Sequence, residues 1–493
     1  MKIPSSIYTA LALLGACCSP LISAEVSKPN IVIIFIDDLG YADIGPFGAT
    51  KQKTPNLDRM AKEGMKLTSF YAAPVCSVSR AQLLTGCYGA RVSVPGVFGP
   101  GGKNGLHPQE FTIAERMKEQ GYATMCIGKW HVGDQPDFLP TRQGFDQYFG
   151  IPYSNDMQTK TKSDEKKVPL LRDEDVIEQL SDEEQSRIVE RYTEEALGFI
   201  RVNKDKPFLL YLPHTAVHTP IYPGAAFAGK SANGRFGDWV EEVDWSVGRV
   251  LSTLQEMKLD KKTLVIFTSD NGPWTIKGKD AGSAAPLRGG KGSTWEGGMR
   301  EPTIAWWPGK IAPGTSCDAV AGTIDLLPTA VKLAGGKIPD LPVIDGRDIS
   351  PILFGQSTVS QREAHYYFSN YHLQAVRQGS WKLAIKQQNE TMGKSPLDDA
   401  KGNEPRLYNL HADISEQVNI ADKNPEVVAK LQALASKMEE EIGGKSPKAR
   451  RPAGEVKKPV ILAPQVGQVT RCGSGGHDGS PARPGGNDQC VFQ

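Results

Sequence analysis

The sequence predicts an α/β fold, a mostly parallel sheet flanked by helices, with a smaller C-terminal α+β domain that contains an antiparallel sheet. Residues 31–36 (IVIIFI) form an unbroken β-branched and aromatic run, which is typical of a strand buried on both faces. Similar runs at 123–127, 208–212 and 264–268 alternate with helical patterns. Strands that alternate with helices favour a parallel sheet.

Two helical patterns support this alternation. Ser181 and Glu184 form a capping box ahead of an amphipathic helix, and residues 240–254 carry a stripe of valine and leucine along one side. The segment 160–184 is highly charged, and we interpret it either as a solvated surface excursion or as a substrate lid.

Length and composition describe a large globular chain. Its 493 residues predict about two to four domains, and 39% apolar with 23% charged residues is ordinary globular usage rather than disorder. The formal net charge of +1 argues against a nucleic-acid partner. The 51 glycines and 35 prolines predict many loops, where active sites are commonly built.

The N-terminal segment 1–24 is predicted to be a signal peptide rather than part of the fold. Lys2 precedes an apolar run at 7–18 that is too short to span a bilayer, and residues 22–24 offer a cleavage site. The protein is therefore expected to be exported, either periplasmic or secreted. The residues around Cys17 also resemble a lipoprotein box, so lipid attachment at Cys17 stays open. No later stretch is apolar enough for a transmembrane helix.

The mature chain divides into three predicted parts. The larger α/β domain covers residues 25–345, and the α+β domain covers residues 346–443. In the latter, residues 364–385 have the aromatic and β-branched content of strands, and residues 427–442 have the pattern of an amphipathic helix. Residues 444–493 are rich in glycine, proline, lysine and arginine, which predicts a poorly ordered tail.

Eight cysteines occur, two of them in the predicted signal peptide. Cys472 and Cys490 could close a disulfide in the tail of an exported protein, although the sequence does not fix this pairing. No Cys/His spacing indicates a zinc site.

Two acidic pairs follow predicted strands. Asp37 and Asp38 come directly after the first run, and Asp270 and Asn271 come just after the last. In open α/β sheets, ligands bind beyond the carboxyl ends of the strands. Adjacent carboxylates repel each other unless a cation neutralises them, and oxygen ligands suit a hard cation such as Ca²⁺ or Mg²⁺. The four residues are therefore predicted to bind a metal ion.

The segment 76–86 (CSVSRAQLLTG) carries a second pattern. A loop that enters a helix here would direct free backbone N–H groups at an anion. Cys76 alone would be interpreted as an inert buried thiol, but the serines and Arg80 beside it make the whole string specific.

Together these motifs resemble the formylglycine-dependent sulfatases over residues 28–442. The matching segments are 30–32 leading into Asp37 and Asp38, 54–58 (TPNLD), 76–86, 128–131 (GKWH), 269–272 (SDNG) and 288–302 (RGGKGSTWEGGMREP). Residues 150–156 (GIPYSND) are similar to the branch that contains arylsulfatase A. The resemblance implies an alkaline-phosphatase-like fold and the hydrolysis of sulfate esters, with a sulfated carbohydrate as the expected substrate.

The resemblance also implies how a nucleophile and a metal ion are held. Asp37, Asp38, Asp270 and Asn271 would bind one Ca²⁺ together with the modified residue 76. Cys76 would be converted by a maturation enzyme to formylglycine, whose hydrate is the nucleophile. This fits the metal, because a diol oxygen is a better ligand for a hard cation than a thiolate.

Five further residues would act on the reacting groups. Arg80 would hold the diol, and Lys129 would bridge it to the sulfate. His218 and Lys291 would contact the ester, one of them protonating the departing alkoxide, and His131 would take the proton that lets sulfate leave. Fixed positive charges lower the barrier here, because negative charge moves onto the bridging oxygen in the transition state.

Ser154, His214 and Arg288 are the remaining expected substrate contacts. His218 is preferred over His214 because it begins the family pattern HTP, and His214 is expected to be a minor or indirect contact. Trp274 and Trp295 could stack on a sugar ring or pack in the core, and the sequence does not decide between these roles.

The sequence departs from the family pattern at one position. The modification motif usually has proline or alanine two residues after the cysteine, and Val78 stands there.

Three functions stay open: a sulfatase, a catalytically silent sulfoglycan-binding homologue with unmodified Cys76, and a phosphoesterase of the same superfold. The sequence lacks the His-rich second metal site and the Ser or Thr nucleophile that a phosphoesterase of this kind usually has.

Overall fold

The computed structural model describes residues 28–160, 166–394 and 404–463. The predicted signal peptide, Cys17 and the suggested Cys472–Cys490 pairing lie outside these residues. Every helix among the described residues is too short or too polar to span a bilayer.

The strands form a twelve-stranded sheet, a four-stranded sheet and a two-stranded pair. In chain order they are β1 (Asn30–Ile36), β2 (Met65–Tyr71), β3 (Asn104–Gly105), β4 (Ala123–Ile127), β5 (Gln147–Gly150), β6 (Thr159–Lys160), β7 (Lys166–Arg172), β8 (Asp175–Leu180), β9 (Phe208–Pro213), β10 (Thr263–Ser269), β11 (Arg300–Trp306), β12 (Thr315–Cys317), β13 (Ala321–Gly322), β14 (His365–Ser369), β15 (His372–Gln378), β16 (Trp381–Ala384), β17 (Arg406–Asn409) and β18 (Gly454–Glu455).

The α-helices of the described residues cover both faces of the large sheet and one face of the small one. They are α1 (Pro55–Glu63), α2 (Cys76–Thr85), α3 (Ile113–Glu119), α4 (Asp182–Gln185), α5 (Ile188–Val202), α6 (Gly234–Glu256), α7 (Glu296–Met299), α8 (Leu326–Leu333), α9 (Ser350–Leu353) and α10 (Pro425–Ile442).

The large sheet has the strand order β12–β2–β11–β10–β1–β9–β4–β5–β7–β6, with β13 beside β2 and β8 beside β7. Its centre, from β10 through β1, β9 and β4 to β5, is parallel. The antiparallel strands β11 and β7 flank that centre. The predicted α/β class is confirmed, and the four predicted strand runs are all central strands.

Strand β1 shows why its sequence is apolar throughout. Ile33 and Phe35 pack in one core with α2, α3 and α8, whereas Ile34 and Ile36 pack in a second core with α1, α5 and α6. Because successive side chains of a strand point to opposite faces, a strand between two helical layers needs an apolar residue at every position.

The capping box at Ser181 is present, and the predicted helix after it is split into α4 and α5. Residues 166–180 of the charged segment before it are part of the sheet rather than a free surface excursion. Strands β7 and β8 form a hairpin there, and Val168, Leu170 and Leu180 are fully buried.

The C-terminal domain has the predicted antiparallel sheet and helix. Strands β14 to β17 pair antiparallel in chain order. Helix α10 packs on them through Leu431 and Ala435, which share a core with Val376 and Leu383.

The chain after α10 differs from the poorly ordered tail that its composition predicts, as far as residue 463. Strand β18 pairs with β3 of the larger domain, and Arg451 forms a salt bridge with Glu110 at 2.7 Å. The arginine content that suggested disorder instead provides paired side chains. Residues 464–493 lie outside the described part of the chain.

Candidate active site

The topology brings the predicted site residues to one edge of the large sheet. Strands β5, β4, β9, β1 and β10 are parallel, so their carboxyl ends meet there. Two antiparallel steps separate β2 from β10, so the loop that leads from β2 to Cys76 starts at the same edge. Strand β11 begins at this edge, which brings in the preceding loop with Lys291.

Cys76 is the first residue of α2, and all ten residues of this helix are buried. Its Sγ lies within 4.8 Å of carboxylate oxygens of Asp37 and Asp270. Burial raises the pKa of the Cys76 thiol, against the opposing charges of Lys129 and Lys291. An unmodified Cys76 is therefore protonated and a weak nucleophile in this position.

The two acidic pairs form one buried cluster. Asn271 Nδ2 donates to Asp38 Oδ1 over 2.7 Å, and the Asp38 backbone N–H donates to Asp270 Oδ1 over 3.2 Å. Asp37 Oδ1 and Asn271 Oδ1 are buried among the described residues without a hydrogen-bond partner. Because a buried unpaired oxygen is costly, two of them beside further carboxylates fit a hard cation with oxygen ligands.

Arg80 and Lys129 neutralise part of this acidic cluster. Arg80 donates to Asp270 Oδ2 at 2.8 Å and to the Lys129 carbonyl at 2.7 Å. Lys129 Nζ donates to Asp37 Oδ2 at 2.5 Å and to Ser154 Oγ at 3.1 Å. Burial opposes ionisation of Asp37, but the surrounding cations, chiefly Lys129, outweigh burial and lower the pKa of Asp37.

Lys291 and His218 both approach the carboxylate of Asp38. Lys291 Nζ lies 2.8 Å from Oδ1 and 2.9 Å from Oδ2, and His218 Nε2 lies 3.6 Å from Oδ2. Burial disfavours the charge of Lys291, but the surrounding acidic groups, chiefly Asp38, together outweigh burial and raise the pKa of Lys291, so this side chain is cationic. Three buried carboxylates are thus matched by Arg80, Lys129 and Lys291, and an added divalent cation would make the site attractive to an anion.

His131 has a defined tautomer. Its Nε2 lies 2.9 Å from the carbonyl oxygen of Phe98, which can only accept a hydrogen bond, so Nε2 carries the proton. Nδ1 is buried and has no hydrogen-bond partner among the residues that the structure describes. Burial and the charges of Lys129 and Arg80 lower the pKa of His131 well below its ordinary value. The imidazole is therefore neutral, with a free lone pair on Nδ1.

Of the two tryptophans whose role the sequence left open, Trp274 borders the site and Trp295 does not. The Trp274 ring is only partly buried, and its centre lies 4.8 Å from Lys291 Nζ and 5.9 Å from the His218 ring centre. Trp295 is buried in a core cluster with Tyr408, which is a packing role.

The structure does not bring Arg288 and His214 to this group. Arg288 forms a salt bridge with Glu390 at 2.7 Å, and its guanidinium lies 3.8 Å from the Trp295 ring centre. His214 is fully buried, and its Nε2 lies 3.3 Å from Ser246 Oγ on α6. Both residues make contacts within the protein, and their substrate contacts stay a prediction.

The core position of His214 predicts a pH effect on stability. Burial lowers the pKa of His214 to about 3, whereas in the unfolded chain it takes up a proton near the ordinary histidine value of about 6.5. Stability is therefore lost as the pH falls through this range. When the pH is lowered from 7 to 5, we expect the free energy of unfolding of His214→Asn to fall by about 2 kcal/mol less than that of the parent. Urea unfolding at both pH values checks this, and an unchanged pH dependence would contradict it.

Sequence reasoning missed the groups that hold the site residues in place. The Phe98 carbonyl positions His131. Thr391 Oγ1 and the Met392 backbone N–H, both in the C-terminal domain, donate to the Lys291 carbonyl. Each of these contacts has a backbone group on at least one side and joins loops that are distant in the sequence, so no residue pattern signals them.

Comparison with known proteins gives consistent matches over most of the chain. Residues 29–336 match the family described as Sulfatase, and residues 360–464 match the C-terminal region of aryl-sulfatase. N-acetylgalactosamine-6-sulfatase of Rattus norvegicus is 40% identical over 400 residues, which is 77% of this chain and 74% of the relative. Arylsulfatase A of Homo sapiens is 37% identical over 474 residues, 88% and 90% of the two chains. The crystal structure of a sulfatase from Pseudoalteromonas sp. aligns with a TM-score of 0.78 at 30% identity, over 85% of this chain and 92% of that one.

Proposed function

The chain belongs to the sulfatase family and is a sulfuric ester hydrolase, and from this premise we propose that it cleaves sulfate esters of carbohydrates, using formylglycine at position 76 and one Ca²⁺. The observation that carries the proposal is the position of Cys76. It lies at the start of α2, within 4.8 Å of carboxylate oxygens of Asp37 and Asp270, where a cation and a nucleophile would share one anionic substrate.

Asp37, Asp38, Asp270 and Asn271 would hold the Ca²⁺. The proposal is supported by the all-oxygen donor set and by the unpartnered oxygens of Asp37 and Asn271. When bound, the ion would supply positive charge next to the sulfate oxygens.

Formylglycine would supply a hydrated aldehyde, whose hydroxyl can attack sulfur where the protonated thiol of Cys76 cannot. Helix α2 is buried along its whole length, and Val78 is only 5% exposed. The maturation enzyme must therefore act on this segment before it folds. The effect of Val78 on maturation is a property of the extended chain and not of the folded site.

The proposed roles of the fixed side chains follow from their hydrogen bonds. Arg80 is held by Asp270 and the Lys129 carbonyl, so its guanidinium can orient the hydroxyl groups of residue 76. Lys129, held by Asp37 and Ser154, can bridge residue 76 to the sulfate. His131 Nδ1 has a free lone pair, so it can accept the proton whose removal regenerates the aldehyde and releases sulfate.

The proton donor for the leaving group is proposed to be His218 or Lys291, and the leaving group itself distinguishes them. A sugar alkoxide needs a proton to depart, whereas a nitrophenolate leaves without one. We expect alanine at the donor position to lower kcat/KM for a sugar sulfate by about 10²-fold or more. The loss of kcat/KM for nitrophenyl sulfate should be smaller than this by a factor of about ten or more. His218→Ala and Lys291→Ala, assayed on both esters, identify the donor. Equal losses on the two esters in both variants would contradict a proton donor at either position.

A carbohydrate substrate is favoured by the named substrate of one relative, the 6-sulfate of N-acetylgalactosamine, and by Trp274 beside the site. Release of sulfate from a panel of sulfated sugars, with the corresponding sugar phosphates as controls, tests the proposal. Binding without release would indicate the silent sulfoglycan-binding alternative. Faster release of phosphate would indicate a phosphoesterase, which is less favoured because both possible metal groups among the described residues share Asp37. The proposal includes export of the protein, either to the periplasm or out of the cell, where it would encounter sulfated polysaccharides.

A further inference from the structure

A glycine-rich loop reaches the proposed catalytic group. Five of the eleven residues 95–105 (PGVFGPGGKNG) are glycine, and glycine loses more conformational entropy on ordering than any other residue. This loop nevertheless makes two contacts beside the nucleophile position. The Phe98 carbonyl accepts from His131 Nε2 at 2.9 Å, and the Phe98 N–H donates to Ser77 Oγ at 3.2 Å.

The chain after α10 holds this loop from outside. We define residues 451–463 as the C-terminal strap. Its strand β18 pairs antiparallel with β3, which is the end of the glycine-rich loop. The Val456 N–H donates to the Lys103 carbonyl at 2.9 Å. These contacts use backbone groups, so they restrict the loop without requiring side chains from its glycines.

A second attachment of the strap runs through Gln135. This buried side chain accepts from the Val460 N–H at 2.7 Å and donates to the Val460 carbonyl at 3.0 Å. It also donates to Asp134 Oδ1 at 3.0 Å. Asp134 Oδ2 accepts the Gly101 N–H at 2.6 Å. Gln135, which is four residues after His131, thus connects the C-terminal strap to the glycine-rich loop through Asp134.

We propose that the C-terminal strap is a positioning element for His131, acting through the glycine-rich loop, with Gln135 as its positioning residue. This rests on the proposed function of His131 as the acceptor of the proton in the release of sulfate. With the strap in place, the Phe98 carbonyl stays where it keeps the proton on Nε2 and leaves Nδ1 free. Without the strap, the loop relaxes and His131 loses this constraint, while the metal ligands and the substrate contacts keep theirs.

Two truncations and two substitutions test this. A chain that ends at residue 453 removes β18 and Val460, and a chain that ends at residue 463 is its matched control. Gln135→Leu removes the second attachment without shortening the chain, and Lys103→Ala removes only the exposed pair with Glu455. We expect the shorter chain and Gln135→Leu to lower kcat by about tenfold or more, with KM changed by less than about twofold, because a small misplacement of a catalytic group is costly. The two controls keep the parent kcat.

Hydrogen exchange of residues 95–105 gives a readout that does not depend on turnover. Faster exchange in the shorter chain and in Gln135→Leu, with parent exchange in the controls, is the expected result. An unchanged kcat in Gln135→Leu would overturn the inference, and this variant decides the matter if the shorter chain does not fold. A parent without sulfatase activity would refute the proposed function, and unchanged exchange in the loop would separately refute the strap.

Discussion

Cys76→Ala is expected to abolish sulfate ester hydrolysis and to leave the fold intact. Alanine cannot be converted to formylglycine, so the variant has no nucleophile. The loss of kcat should be about 10⁴-fold or more, as is usual when an enzyme loses its attacking group. The fold should survive, because an alanine at the first position of α2 keeps the helix and every hydrogen bond of Asp37 and Asp270. Steady-state kinetics and thermal unfolding of the two proteins check both statements.

Cys317→Ala is the matched control, since it also removes a buried free thiol of the same chain. Cys317 is in β12 and pairs with Leu67, four residues before β2 ends at the carboxyl edge of the sheet. It should lose some stability through the small cavity and keep its turnover number. A Cys76→Ala protein with activity near that of the parent would rule out residue 76 as the nucleophile.

Asp270→Asn is expected to have the next largest effect, because it removes a metal ligand and an ionic partner together. The neutral amide is a weaker Ca²⁺ ligand, and Arg80 loses the carboxylate that it contacts at 2.8 Å. We expect Ca²⁺ affinity to fall by about tenfold or more and kcat by about 10³-fold. Calorimetric titration of chelator-treated protein measures the affinity, independently of turnover.

Asp244→Asn separates this effect from a general loss of stability. Asp244 is a buried carboxylate on α6 that accepts hydrogen bonds from the backbone of Asn56 and Leu57. Its loss should lower the unfolding temperature without changing Ca²⁺ binding. If Asp270→Asn bound Ca²⁺ as tightly as the parent, the assignment of the metal ligands would be wrong.

The residue types that carry the fold and the metal cluster could be predicted from sequence for a physical reason. A strand between two helical layers must be apolar at every position, so the unbroken apolar run at residues 31–36 predicts a central strand. Carboxylates at the ends of two such strands must meet when the strands are parallel neighbours, as β1 and β10 are. The sequence predicted that these strands share a mostly parallel sheet, and the structure shows that they are neighbours in it.

Other parts of the site could not be predicted, because backbone groups and local turns decide them. His214 and His218 both follow β9, and only the path of the chain between them turns His214 to α6 and His218 to Asp38. The strap was predicted to be poorly ordered from its composition, yet its pairing with β3 uses N–H and carbonyl groups that every residue carries. Composition cannot report such contacts.

The mass of the tryptic peptide 67–80, taken from protein made with its own maturation system, shows whether residue 76 is converted to formylglycine. We expect the peptide to carry the lighter aldehyde at position 76, which would show that Val78 permits conversion. A peptide that carries only the thiol would contradict a formylglycine nucleophile, since a buried, protonated Cys76 cannot perform the proposed attack.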